Sequence, residues 1–228
     1  MIPPTTDDVM GSVINEFVEL RVIPDHQSLI ATFAGEKSQA KDETLFMKAE
    51  AMEKTGTRNS DIRKATGWFR NADDKQWRYE IDDSKMKFDR DVLRKLKQGG
   101  EVKLGELISH DKLFEAYPQL KEMPVSPATD DRDGGLYVPD EKRIELSNKT
   151  NYRQKEVNIT HEIQHAVQDI EGVLNSFGRP DGTTDSMKKY LRNQSEKESR
   201  DSGSRLKMDE KTRKARSPWT QGTNLNLQ

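Results

Sequence analysis

The sequence predicts an α+β fold in which a small twisted β-sheet packs on one long helix, with a helical extension ahead of it and an extended tail behind. Three observations carry this. Residues 68–81 place aromatic and β-branched side chains on either side of a turn-forming stretch, which reads as a β-hairpin. Residues 136–147 read as strand, turn, strand. Residues 150–171 carry Ile159, Ile163, Ala166, Val167 and Ile170 along one helical stripe, which puts His161 and His165 on the opposite side.

At 228 residues the chain has room for one domain with a core plus appendages. Leu, Ile, Val and Phe make up just under a fifth of it, and charged residues are 34%. The net charge of -2 means the charges are mixed rather than self-repelling, so a compact centre with poorly buried ends is expected. Balanced charge gives no argument for nucleic-acid binding. There is no cysteine, so any metal site must draw on histidine, carboxylate and water. The start lacks a basic region followed by an apolar run, and no apolar stretch reaches about 18 residues, so neither a signal peptide nor a membrane span is expected.

In chain order, residues 1–30 carry an amphipathic helix with Val9, Val13, Ile14, Phe17, Val18 and Leu20 on one face, ended by Pro24. A second helix is expected from Lys41 to Lys54, stopped by Gly56, and a short third one from a Ser60 cap to Gly67. In the hairpin, Trp77, Tyr79 and Ile81 alternate with Arg78 and Glu80, the pattern of a half-buried strand rather than of a base-stacking platform. Residues 85–103 look charged and mobile, closing at Gly99 and Gly100. A helix capped by Ser109 should run from His110 to Tyr117, with His110 solvated, and residues 123–126 form a short strand. Asp130, Asp131 and Asp133 lack the twelve-residue spacing of a calcium loop and read as a solvated turn. The long helix closes at Gly172, a charged helix follows from Ser186 to Met208, and the tail from 209 to 228, with Trp219, shows no regular element.

Chemistry concentrates in Thr160-His161-Glu162-Ile163-Gln164-His165, which holds two of the four histidines. At i and i+4 on a helix the two imidazoles share a face and can hold one metal ion, while Glu162 can reach a water on that metal as general base. A catalytic zinc site needs a third protein ligand. His26 and His110 lie far upstream, so a carboxylate from the downstream helix is expected, with Glu196, Glu198 and Asp201 all candidates by spacing.

Several motifs in order add to this. Phe33-Ala34-Gly35, the hairpin of residues 66–84, Leu113 to Leu120, Gly134-Gly135, Ile144 to Ser147 and His161 to Gln168 resemble a zincin-like metallopeptidase domain found in phages and prophages within large polyvalent proteins. The resemblance spans roughly residues 30–205. Tyr190 to Arg200 is similar to that family's later motif, Tyr-x5-Glu-x-Glu-Ala-Arg, and the register implies Glu198 as third ligand, with Lys197 and Ser199 replacing an apolar residue and an alanine.

The resemblance implies an N-terminal helical extension at 1–30, a zincin-like domain at 31–208 and a tail at 209–228 that is flexible or binds a partner. It implies a Zn²⁺-dependent peptide hydrolase with His161, His165 and Glu198 as ligands and Glu162 as base. A protein or peptide is then the substrate, in a phage virion or the host bacterial cytoplasm. The alternatives are a structural virion protein that keeps the scaffold and binds its neighbours through both ends, and a phage-delivered effector.

Overall fold

The computed structural model describes residues 31–83, 85–130, 133–175, 183–205 and 211–212. The expected N-terminal helix, His26 and the Trp219 tail lie outside them. Among the described residues the architecture is α+β, as expected, with eight α-helices and nine short strands. The strands form three small sheets instead of one.

β1 (Ala31–Ala34), β2 (Phe69–Arg70) and β3 (Trp77–Asp82) pair antiparallel in the order β1-β3-β2. The hairpin between β2 and β3 closes by an Asn71 N–H to Gln76 carbonyl bond, while Asn71 Oδ1 accepts from Asp73 N–H at 2.8 Å. α1 (Glu43–Lys54), capped by Asp42, and α2 (Asn59–Thr66) cover this hairpin. Phe46, Ala49, Ile62, Trp68 and Trp77 are buried together beneath them, so these aromatics are core, as their alternation predicts. One position breaks the pattern: Arg78, expected to face solvent, is 2% exposed. α2 also starts one residue before Ser60, with Arg58 in the cap position and no side-chain cap.

The segment read as mobile is ordered. β4 (Lys87–Phe88), α3 (Arg90–Lys97) and β5 (Val102–Lys103) follow one another, and Asp89 Oδ1 caps α3 by accepting from the Asp91 and Val92 amides. Leu93 and Leu96 are fully buried. Three apolar side chains in eight helical residues, Val92, Leu93 and Leu96, are too few to stand out among charges.

α4 (Leu104–Leu107) leads into β6 (Ile108–Ser109), which pairs with β4, and then α5 (Asp111–Ala116). The cap of α5 is His110, not Ser109: its Nδ1 accepts from Leu113 N–H, and its Nε2 lies 2.5 Å from Asp83 Oδ1. Asp83 Oδ2 in turn accepts from Thr32 N–H at 2.7 Å. Both side chains are buried, so the expected solvated histidine is instead a structural tie between β1, the end of β3 and α5.

β7 (Pro124–Pro127), β8 (Gly135–Val138) and β9 (Arg143–Leu146) join β5 in the order β5-β7-β9-β8. The β7–β9 pair is parallel and the others antiparallel, which leaves β8 as an edge. α6 (Tyr152–Glu171) is capped by Asn151 and stopped by Gly172, which takes the left-handed conformation at φ 77°. Ile159, Ile163, Ala166 and Val167 of α6 enter the main core with Leu93, Leu107, Leu120, Ile144 and others. The expected single helix after the loop is two: α7 (Thr184–Arg192) and α8 (Gln194–Arg205), broken at Asn193.

Leu93 tests this account. Leu93→Ala should lower unfolding free energy by about 2–5 kcal/mol in denaturant titrations, as for a buried leucine; a loss below about 0.5 kcal/mol belongs to a surface loop.

Candidate metal centre

α6 is not the amphipathic helix with one exposed histidine face that its sequence suggests. Its apolar stripe is buried, and so are Glu162, Gln164, His165 and Gln168 on the other sides. α8 supplies the missing cover by packing directly along α6. Ser195, Ser199 and Ser202 are almost completely buried, and their small side chains permit the close approach. Ser199, which replaces an alanine of the resembled motif, places its Oγ 3.3 Å from His165 Nδ1. Lys197 turns away from the helix pair and reaches Asp73 at 3.1 Å.

The break at Asn193 sets the phase of α8. Asn193 Oδ1 accepts from the Ser195 and Glu196 amides, and its Nδ2 donates to the Asn175 carbonyl beyond α6. Glu196 is thereby fixed in the first turn of α8, with its carboxylate against the two histidines.

Among the described residues, His161, His165 and Glu196 are the group of three that could hold a metal ion. His161 Nε2 and His165 Nε2 are 3.1 Å apart, His165 Nε2 is 3.3 Å from Glu196 Oε1, and His161 Nε2 is 3.5 Å from Glu196 Oε2. Ligands at 2.0–2.2 Å from a tetrahedral zinc stand about 3.3–3.5 Å from one another. Glu196 Oε2 is buried without a hydrogen-bond partner, a costly state that a cation among these three groups relieves. The His161 side chain keeps 21% of its surface open, so the cluster has a side that solvent reaches. These residues therefore fit a divalent cation of the zinc type.

The expected ligand Glu198 is not in the cluster. Two residues on a helix point about 200° apart, and Glu198 is fully buried on the far side, where its Oε1 accepts from Arg78 Nε at 2.8 Å and its Oε2 from Gln168 Nε2 at 2.8 Å. Both oxygens thus have hydrogen-bond partners. Burial pushes the Glu198 carboxyl above the usual range, against the pull of Arg78 and Gln168.

Without a cation the cluster is bound together by charge. Burial disfavours a charged His165, but the Glu196 carboxylate outweighs it and, with Glu162 and Gln168, pushes its pKa up to about 9. Burial likewise disfavours a charged Glu196, and the two imidazoles hold it well below the usual carboxylate range. Tyr190 stays protonated beside them, its phenol pushed up by burial and by the charges of Glu196 and Glu162.

Glu162 lies between α6 and the open edge of β8. Its Oε2 accepts from Tyr137 N–H at 2.7 Å. A Cβ on Gly135 would stand 2.7 Å from Glu162 Cγ and 2.8 Å from Oε1, so the absence of a side chain at 135 makes room for the carboxylate.

The structure thus brings His161 and His165 together, as their spacing predicts, and sets Glu196 beside them where Glu198 was expected. A local signal for it existed: Asn193 followed three residues later by Glu196 is a helix-start pattern, and starting a helix there instead of running one through from Ser186 rotates Glu196 inward. Gly135, Gln168 and Arg78 lie within motifs that carry the resemblance but were given no role, because their roles depend on contacts across 27 to 120 residues.

Comparison with known proteins touches a different part of the chain. Residues 31–89 match the family described as large polyvalent protein associated domain 23. The match covers β1 through β4 and ends before α6 and α8. No curated protein and no solved structure matches.

The paired shifts of His165 and Glu196 give a pH signature of the metal-free chain. His165 is raised from 6.5 to about 9, so its contribution to stability is complete below about pH 6.5 and lost as pH rises through 9. Glu196 is lowered, so its contribution is present above about pH 4.5 and lost at more acid pH. Denaturant titrations in chelator should therefore show stability falling by a few kcal/mol from pH 6 to pH 10, with that fall flattened in Glu196→Gln.

Proposed function

We propose that the chain is a metal-dependent peptide hydrolase of zincin-like type, with His161, His165 and Glu196 as ligands and Glu162 as general base. The observation that carries this reading is the convergence of two helical histidines and a carboxylate from a second helix, with Glu162 buried one position away beside an open strand edge. A zinc ion held there supplies a Lewis acid that polarises a peptide carbonyl and acidifies a water.

The side chains do the rest. Tyr137 N–H fixes one oxygen of Glu162 and so orients the carboxylate. Glu162 takes a proton from the attacking water and passes it to the departing amine as the C–N bond breaks, a role that needs one carboxylate in two protonation states. Tyr190, kept protonated at the rim of the cluster, is available as a donor to the charge that develops on the carbonyl oxygen.

On the same reading, the match to a large polyvalent protein associated domain supports a phage setting, with action in the virion or the host bacterial cytoplasm. No described helix is long and apolar enough to cross a membrane.

Elemental analysis of the purified chain should find one zinc per chain, lost in His161→Ala and in Glu196→Ala. Glu162→Gln should keep the metal and lower peptide cleavage at least about 10²-fold. Gly135→Ala should also keep the metal and lower cleavage by displacing Glu162, by roughly tenfold. A chain that binds zinc but cleaves no phage or host protein belongs to the structural virion reading. Host toxicity relieved by Glu162→Gln belongs to the effector reading.

A further inference from the structure

Glu196 does not face the histidines alone. Among the described residues its ion-pair partners are His161, His165 and Arg200, which sits one turn further along α8. Arg200 Nη1 lies 3.8 Å from Glu196 Oε2. Both atoms are buried, and neither has a hydrogen-bond partner. The other terminal nitrogen, Nη2, donates to the Leu191 carbonyl at 2.5 Å, and the guanidinium lies 6.0 Å from the centre of the Tyr190 ring. The group is thus anchored on the end of α7 and reaches toward Glu196 without closing on it.

That geometry separates two effects. A contact of 3.8 Å is too long for a hydrogen bond, so Arg200 does little to aim the Glu196 carboxylate. Charge needs no such contact, because unit charges a few ångströms apart still interact strongly away from bulk water. Burial draws the Arg200 guanidinium below its usual value against the pull of Glu196 and Tyr190, yet an arginine stays protonated at any working pH. Glu196 is the carboxylate that Arg200 pairs with, since the neighbouring Glu198 is taken by Arg78. A divalent cation among His161, His165 and Glu196 would therefore share one carboxylate with a guanidinium.

We infer that Arg200 is a counter-charge residue of the metal centre. It competes with the cation for the charge of Glu196, so that the centre holds its metal less tightly and leaves it more positive. This rests on the metal reading proposed above. A cation less fully neutralised is the stronger Lewis acid, so affinity is exchanged for reactivity.

The rival role for Arg200 is a structural tie from α8 to the last turn of α7. The two roles differ in the sign of their effect. Loss of a tie loosens the turn that carries Glu196 and lowers metal affinity, as loss of an outer-shell partner ordinarily does by about 10–100-fold. Loss of a counter-charge raises it.

The test measures Zn²⁺ affinity of the full chain at fixed pH and ionic strength, by competition with a chromophoric chelator. Arg200→Met removes the charge and should raise the affinity at least about tenfold. Arg200→Lys keeps the charge while giving up the planar fork, and should show no such rise. Affinity unchanged or lower in Arg200→Met overturns the inference, as does an equal rise in Arg200→Lys. If Arg200→Met does not fold, as judged by circular dichroism, Arg200→Gln takes its place, because it is neutral and keeps a donor amide. A parent that binds zinc and cleaves no peptide sinks the hydrolase reading alone, and the affinities still decide the role of Arg200. Zinc bound by Arg200→Met but not by the parent also supports the counter-charge, whereas zinc bound by neither overturns both readings.

Discussion

A helix of twenty residues buried on nearly every side forces a partner on each polar side chain it carries, and α6 is such a helix. A buried polar group without a partner costs on the order of 1–3 kcal/mol. α6 buries Lys155, Gln164, Glu162, His165 and Gln168, so the surrounding elements must be placed to meet them. Lys155 Nζ donates to the Ser147 carbonyl at the end of β9. Gln164 bonds both the N–H and the carbonyl of Phe33, completing the outer edge of β1 as a second strand would. Glu162 is met by β8 and Gln168 by α8. Near its end, Asp169 accepts from Tyr137 Oη and Glu171 from Tyr117 Oη. Two sheets too small to stand alone, the one that holds β1 and the one that holds β8 and β9, are thus held in register with one helix by directional bonds, and the packing of Ile159, Ile163, Ala166 and Val167 fills the space those bonds define.

The Arg78–Glu198 pair belongs to this logic more than to a stability argument. An ion pair with exposures of 2% and 0% recovers little more than its desolvation cost. Its effect is selective: any packing of α8 that separates the two leaves an unpaired buried charge, which costs several kcal/mol. The hairpin and α8 are therefore locked in one relative position, the one that presents Glu196 to the histidines.

What the sequence disclosed follows from the range of the interactions. Features set by neighbours within a few residues were readable: the Asn151 and Gly172 boundaries of α6, the β2–β3 hairpin, the β8–β9 turn and the i, i+4 histidine pair. The failures share a cause. α3 hid because two leucines among charges give a weak period, and His110 because its partner Asp83 is 27 residues away. The solvent-facing reading of Arg78 failed for the same reason, since alternation along a strand takes no account of a buried carboxylate 120 residues on.

The choice between Glu196 and Glu198 shows how environment divides work between identical side chains. Both are buried on the same turn of helix. Glu198 points away from the histidines, where Arg78 holds one of its oxygens and Gln168 the other. Glu196 meets two imidazoles, has the Arg200 guanidinium 3.8 Å from its Oε2, keeps that oxygen without a hydrogen bond, and is the one carboxylate of the three groups. Two neutral imidazoles and one carboxylate leave a divalent cation with a net positive charge of one. On the proposed metal reading, that residual charge would let the cation act as a Lewis acid. A second carboxylate in the cluster would cancel it, so the separation of Glu198 from the site by Arg78 serves the chemistry as well as the geometry.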